Sequence, residues 1–356
     1  MKVFFIQNKC AIYNARLFER LASEYKFTIL SNTFDRDTDR FLFSKISTSR
    51  SFMGYFKILS FLQKSKPDVV VFDGNSSFPF SICLVLSRIF IGFRLVLWSL
   101  GSVPHRKRTA RSQFGDALNY FYASNSEYVA CYSSHAESYF RSLGISQKKI
   151  RRAQNAIDTD SLKSYSSFDS VPCILSREKH LIYVGQLAEA KNVGMLIHAF
   201  YLSGLFRYGY VLKIIGTGPQ AGSLHDVVEG YGDVFSGSVC FTGDLRGQNL
   251  STALLNSRLC ILPGRGGLAI NTAMHHGLPV VSGPADGTEL DLVIDYKTGL
   301  YLTDASAEFL AQKLQHVIGD DALLRQLSFG AHQLSWSIAT VDQQFLSFVS
   351  IFEEIQ

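Results

Sequence analysis

No two of the six cysteines form a Cys-x-x-Cys pair; Cys10, Cys83, Cys131, Cys173, Cys240 and Cys260 stand far apart, mostly inside apolar runs. That excludes the usual zinc and dithiol motifs and leaves buried structural thiols in a reducing, cytoplasmic compartment as the expectation. Long hydrophobic runs are also missing. The most apolar stretch, Phe78 to Leu100, is broken by Arg88 and Arg94, and a charge near mid-bilayer costs about 2.5 to 3.5 kcal/mol, so no membrane-spanning segment is expected. The opening Met1-Lys2-Val3-Phe4-Phe5-Ile6-Gln7 turns polar too soon for a signal peptide and reads as a buried strand. Tracts rich in Gly/Ser, Pro or one charge are no longer than a loop, and no fixed-period repeat is present, which excludes disordered and solenoid architectures.

What is present is apolar material for two globular domains: 356 residues, 47% hydrophobic and 18% charged. In the first half, β-rich runs at Val3–Gln7, Phe27–Ser31, Asp68–Asp73, Arg94–Trp98 and Tyr128–Tyr132 alternate with helical patterns, which predicts βαβ units on a parallel sheet. The alternation lapses in a Ser-rich stretch between about Asp160 and Lys179, with Ser161, Ser164, Ser166, Ser167, Ser170 and Pro172. It resumes with strands at Leu181–Val184, Tyr210–Ile215, Val239–Phe241, Leu259–Leu262 and Val280–Ser282. The fold expected is α/β, with two Rossmann-like doubly wound domains, 1–165 and 175–356, facing a cleft. Apolar positions Ile338, Val341, Phe345, Phe348 and Phe352 predict a final amphipathic helix over about 338–354 that packs back toward the first domain. The formal charge of +5 is uneven. Residues 1–170 carry 24 Lys/Arg against 13 Asp/Glu, +11, leaving −6 for the remainder.

In open parallel sheets ligands sit beyond the carboxyl ends of strands. Strand Leu259–Leu262 runs into Pro263-Gly264-Arg265-Gly266-Gly267, and Leu268 then opens a helix that stops at His276-Gly277 with Pro279 beyond. Glycines at a helix start let an anion approach unpaired backbone N–H groups at the positive end of the helix dipole, and Arg265 adds a forked donor. Strand Leu181–Val184 ends in Gly185-Gln186-Leu187-Ala188-Glu189-Ala190-Lys191, which puts a flexible cation past a second strand end and at the start of the next helix. Together these read as a diphosphate site.

Order and spacing of further motifs then make a resemblance specific. Tyr183-Val-Gly-Gln-Leu with Lys191-Asn192, Leu212-Lys-Ile-Ile-Gly-Thr-Gly-Pro219, Val239-Cys-Phe-Thr-Gly243, Leu262-Pro263, Gly277-Leu-Pro-Val-Val281, Glu289 and Thr298-Gly-Leu300 resemble the C-terminal domain of the family-4 retaining glycosyltransferases of the GT-B fold (glycosyl transferases group 1). The first half is similar through Leu95-Val-Leu-Trp-Ser-Leu-Gly101, Cys131-Tyr-Ser-Ser134, Phe140-Arg-Ser-Leu-Gly-Ile145 and Asn155-Ala-Ile-Asp158, and the Pro-Gly-x-x-Gly-Leu loop is most like the bacterial surface-polysaccharide branch. The resemblance implies transfer of a sugar from a UDP-, GDP- or dTDP-linked donor to a glycan or lipid-linked acceptor in exopolysaccharide, capsule or O-antigen assembly, without a metal or other cofactor. It implies Lys191 and the backbone of Gly266, Gly267 and Leu268 at the diphosphate, and Arg265 is read as the substitute for the cation missing at Gln186. Gly185, Gln186, Gly216 and Glu289 are implied around the donor, Gly243, Asp244 and Leu245 near the nucleoside, and Thr272 near the ribose.

Departures from the family pattern keep rival readings open. The glutamate pair eight positions apart that many members carry falls on Gly264 and Thr272; Gln186 stands where an arginine accompanies the lysine; Asn8-Lys9-Cys10 replaces an early glycine pair; Ser99 replaces a histidine. A nucleotide-sugar-binding protein without catalysis and a nucleotide-sugar epimerase are the alternatives. Gly216-Thr-Gly-Pro-Gln-Ala-Gly222 mimics a dinucleotide fingerprint, but its last glycine comes one residue late. His275-His276 read as capping or surface residues, with no metal-ligand spacing around them. The basic clusters His105–Arg108 with Arg111 and Lys148–Arg152, with the amphipathic Phe52–Leu62, fit an anionic membrane surface at the inner face of the cytoplasmic membrane; no nucleic-acid-reading module is recognisable.

Overall fold

In the computed structural model, which describes residues 1–48, 51–74, 78–163 and 171–356, the chain divides by its contacts into two units. Met1–Asp158 and Thr340–Gln356 form the first, Thr159–Ala339 the second. The boundary thus falls at the end of the Asn155–Asp158 motif. Of the Ser-rich stretch behind it, Ser164, Ser166, Ser167 and Ser170 lie outside the described residues.

The first unit is a seven-stranded parallel sheet of β1 (Lys2–Cys10), β2 (Lys26–Phe34), β3 (Ser44–Ser47), β4 (Val69–Phe72), β5 (Arg94–Ser99), β6 (Tyr128–Cys131) and β7 (Ile150–Arg152), ordered β3-β2-β1-β4-β5-β6-β7. Both faces are covered, as an all-parallel sheet requires. Along β1, Phe4 and Ile6 enter one core while Val3 and Phe5 enter the other. The helices Phe52–Ser65, Phe78–Ile91, Ala110–Ser124 and Ser134–Ser142 supply the first core. Ala15–Glu24 and the final helix supply the second, where Phe5, Phe18, Trp98 and Phe348 meet edge to face.

The second unit has six parallel strands, β8 (His180–Val184), β9 (Val211–Ile215), β10 (Val239–Gly243), β11 (Leu259–Leu262), β12 (Val280–Ser282) and β13 (Gly299–Tyr301), ordered β10-β9-β8-β11-β12-β13. Each sheet reverses its winding once, between β1 and β4 in the first and between β8 and β11 in the second. Such a reversal opens a crevice at the carboxyl ends of the two strands flanking it.

β3, β7 and β13 are absent from the sequence reading. They are edge strands of three or four residues, too short for a periodicity, and Ser44-Lys-Ile-Ser47 and Ile150-Arg-Arg152 look polar because an edge has one open side. The last helix also differs from expectation. Ile338 ends the preceding helix Asp321–Ile338, Thr340 caps the next by accepting from Gln343 N, and Val341–Ile355 runs along the first unit. Phe348, Ile351, Phe352 and Ile355 fill its core, and Asp342 and Glu354 pair with Arg20 and Arg151. Three thiols are buried as expected (Cys10, Cys131, Cys260), but Cys83, Cys173 and Cys240 are exposed. No helix among the described residues is long and apolar enough to cross a membrane.

Candidate active site

The loops after β8 and β11 leave the two strands that flank the reversal of the second sheet. After β8 the chain makes a 3-10 turn, Glu189–Lys191, and Asn192 passes through the left-handed region before the helix Val193–Ser203 begins. Lys191 therefore ends a turn rather than opening the helix. Its ammonium donates to the carbonyl oxygen of Arg265, which ties the two loops together, and Arg265 N donates to Ala190 O at 3.3 Å. The Arg265 side chain is exposed.

Gly264 makes this approach possible. A Cβ there would lie 2.4 Å from Ala190 O and 2.7 Å from Lys191 Cα, so the position usually held by a carboxylate is filled by neighbouring backbone. Gly267, at φ +58° and ψ −142°, is the N-cap of the helix Leu268–His275, and no side chain caps it. The first N–H groups of the helix, beginning at Leu268, stay available to an anion at its positive end. The Thr272 hydroxyl donates to Leu268 O at 3.0 Å, back along its own helix.

Asp286, which sequence reasoning passed over, belongs to this group. It lies beyond β12, 3.8 Å from where a Gly267 Cβ would sit, and its charge acts on Lys191. Burial lowers the Lys191 pKa below the ordinary lysine value; Asp286 opposes that shift and Arg265 adds to it. A carboxylate following β12, opposite a cationic loop, is the signal that could have found it. Glu289 is fully buried and accepts from Ala285 N at 2.9 Å and Gly287 N at 2.7 Å, so both its oxygens brace the loop that carries Asp286. Burial raises the Glu289 pKa against these hydrogen bonds.

The remaining expected residues line adjacent strand ends. Gly185 follows β8 and Gly216 follows β9; a Cβ on Gly216 would sit 1.9 Å from Gly185 O, so this glycine serves a close backbone approach. Gly218 packs on Leu187 in the same way, which accounts for the apparent dinucleotide fingerprint. Gly216 N donates to Gly243 O at 2.8 Å, Gln186 O accepts from the Tyr183 hydroxyl at 2.9 Å, Leu245 packs on the core, and Asp244 pairs with Arg246 at 2.8 Å. Gly266 lies between Arg265 and the helix start. The structure thus brings Lys191, Arg265, Gly266, Gly267 and Leu268 together, whereas Asp244 is engaged on the surface by Arg246.

The far end of the Leu268–His275 helix corrects the reading of its histidines. His275 and His276 are fully buried, each Nδ1 against a carbonyl one turn back, Asn271 O and Thr272 O at 2.7 Å. The carbonyls there are held by Trp336 Nε1 (His275 O), Ser328 Oγ (Gly277 O) and the buried Arg177 (His276 O). Arg177 also donates to Pro172 O and Ser257 O, and burial pulls its pKa down to about 10. His275 and His332 are lowered by burial to about 4. The unfolded chain takes up protons near pH 6.5 that the folded chain refuses until about pH 4, so stability falls as pH drops through that window. The loss expected in urea unfolding is up to on the order of 3 kcal/mol per histidine. An unchanged pH dependence in His275→Gln would contradict it.

Two consecutive Rossmann-like units of this kind match the two-domain fold called GT-B. Residues 178–320, within the second unit, match the family model described as Glycosyl transferases group 1. The Anabaena protein Alr3699/HepE, solved with UDP, superposes with a TM-score of 0.77 at 15% identity over 99% of this chain and 100% of that one. The lipopolysaccharide outer core galactosyltransferase WaaB superposes at 0.70, with 17% identity over 99% and 100%. An exopolysaccharide phosphotransferase of Streptomyces coelicolor, SCO2592, is 28% identical over 207 residues, 56% of this chain; the alignment spans only 20% of that relative's length.

Proposed function

We propose that the protein is a retaining glycosyltransferase that moves a sugar from a nucleoside-diphosphate donor to a glycan or lipid-linked acceptor in surface-polysaccharide assembly. The observation that carries this reading is the convergence of Lys191, Arg265 and the uncapped helix N-terminus after the two central strands of the second unit. As the bond from the sugar's anomeric carbon to the diphosphate breaks, negative charge grows on the departing phosphate oxygens, and a fixed cluster of positive groups stabilises it. These groups supply that charge from the protein itself, and transfer is therefore proposed to need no metal. A structural neighbour binds UDP, which puts UDP-sugars first in the panel to test, ahead of GDP- and dTDP-sugars.

Calorimetry and thermal shift with that panel are expected to show one preferred nucleotide. Transfer in the presence of EDTA, with the anomeric configuration of the product read by NMR, tests metal independence and retention. An inverted product would reject retention, and activity abolished by EDTA and restored by Mg²⁺ would reject metal independence. One specific observation favours a second reading, a nucleotide-sugar-binding protein without turnover: neither Gly264 nor Thr272 supplies a carboxylate, and no room exists for one at Gly264. Binding without donor hydrolysis or transfer would establish that reading. The basic first unit is proposed to meet the inner face of the cytoplasmic membrane, where a lipid-linked acceptor would lie.

A further inference from the structure

Three helices, Phe52–Ser65, Phe78–Ile91 and Ala110–Ser124, lie with the shorter helix Ser134–Ser142 over one face of the first unit's sheet. Their inward stripes are ordinary: Ile58 and Leu62, Leu84 and Val85, Tyr122 and Ala123 are buried in its core. Their outward side is not. A surface helix normally turns charged and polar residues to water, yet the middle helix exposes Leu86, Ile89 and Phe90 at 48%, 73% and 89%, one stripe at helical spacing. The first helix exposes Met53 and Phe56, and the third Phe114 and Tyr120.

The exposed charges of these three helices have one sign. Lys57, Lys64 and Arg111 are exposed on the helices, and Lys107 and Arg108 just before the third. The three helices contain a single acid, Asp116, which is taken up by Arg106 and the Tyr139 hydroxyl. The other basic run of this unit is spent internally. Lys149 donates to Ser124 O and Ser126 O, Arg151 pairs with Glu354 and Arg152 with Glu137.

We propose that the outward face of these three helices docks on an anionic lipid bilayer, with Leu86, Ile89 and Phe90 entering below the headgroups and the flanking lysines and arginines meeting lipid phosphates. Exposed apolar side chains and exposed cations on the same helices match such a surface in both its layers. A second copy of the chain matches it poorly, because a two-fold contact would bring cation onto cation. The assignment rests on the membrane-associated part of the reading above and is independent of sugar transfer.

Co-sedimentation of the full chain with vesicles tests it. Vesicles that are about a third phosphatidylglycerol are expected to bind at least about tenfold more protein than phosphatidylcholine alone, and each of Lys57→Gln and Arg111→Gln is expected to weaken binding by about fivefold. Ile89→Ser with Phe90→Ser should reduce anionic-vesicle binding by at least about tenfold, while thermal unfolding and UDP binding stay as in the parent. Equal partition onto neutral and anionic vesicles, or undiminished binding by the double variant, would overturn the proposal. So would a parent that dimerises through this face, read by light scattering, with no affinity for vesicles. A failure of sugar transfer to a soluble acceptor would leave the vesicle result standing, so the two readings fail separately.

Discussion

Lys191→Ala is expected to lower donor turnover by a factor of about 10² to 10³, the usual cost of removing one fixed group that stabilises developing charge. The geometry makes this more than a lost surface charge. The ammonium is half-buried between the loops after β8 and β11 and is held on Arg265 O, so it is already in place for the diphosphate of the proposed donor. Donor affinity should also report its titration. Burial lowers the Lys191 pKa, so raising the pH removes the cation earlier than at an ordinary lysine. Calorimetric affinity for the preferred nucleotide should then fall on the alkaline side in the parent and stay flat over the same range in Lys191→Ala. Full turnover by that variant would remove Lys191 from the mechanism.

Gly264→Ala is expected to destabilise the chain by about 1 to 3 kcal/mol, the range for overpacking a filled site, and to weaken donor binding at least about tenfold. The added Cβ would meet Ala190 O and Lys191 Cα well inside contact distance, and both are backbone atoms that cannot rotate away. The loop pair must therefore separate, which moves Lys191 from Arg265. Gly264→Glu, which restores the carboxylate common in the family, is expected to do worse rather than rescue. Urea unfolding and calorimetry measure the two effects. A Gly264→Glu variant with parental stability and improved turnover would show that the loops part freely and that the glycine is a simple loss.

Most of the scaffold could be read in advance because buried parallel strands announce themselves. Val69–Phe72 and Leu259–Leu262 are buried at every residue, as continuous apolar runs predict. The edge strands β3, β7 and β13 could not, since pairing on one side asks little of composition. The site divides in the same way. Lys191, Arg265 and Gly267 were visible because a cation or a glycine run directly after a strand is a local pattern. Asp286 was not, because its relation to Lys191 and Gly267 arises only when the loops after β8, β11 and β12 come together. The histidines misled for a related reason: a polar pair at a helix end suits solvent, and only the packing of Arg177, Ser328 and Trp336 around that end excludes water.

The sequence by itself determined the two α/β units and the succession of their principal strands along the chain, and it singled out the loop Leu262–Leu268 as a candidate diphosphate site, because strand periodicity, helix stops and glycines at helix starts act within a few residues. Tertiary structure alone decided that Gly264 is a packing requirement and that Asp286 comes near Gly267 and acts on Lys191. It also decided which cations remain on the surface. Each of these depends on contacts between segments tens to hundreds of residues apart, which no local pattern encodes.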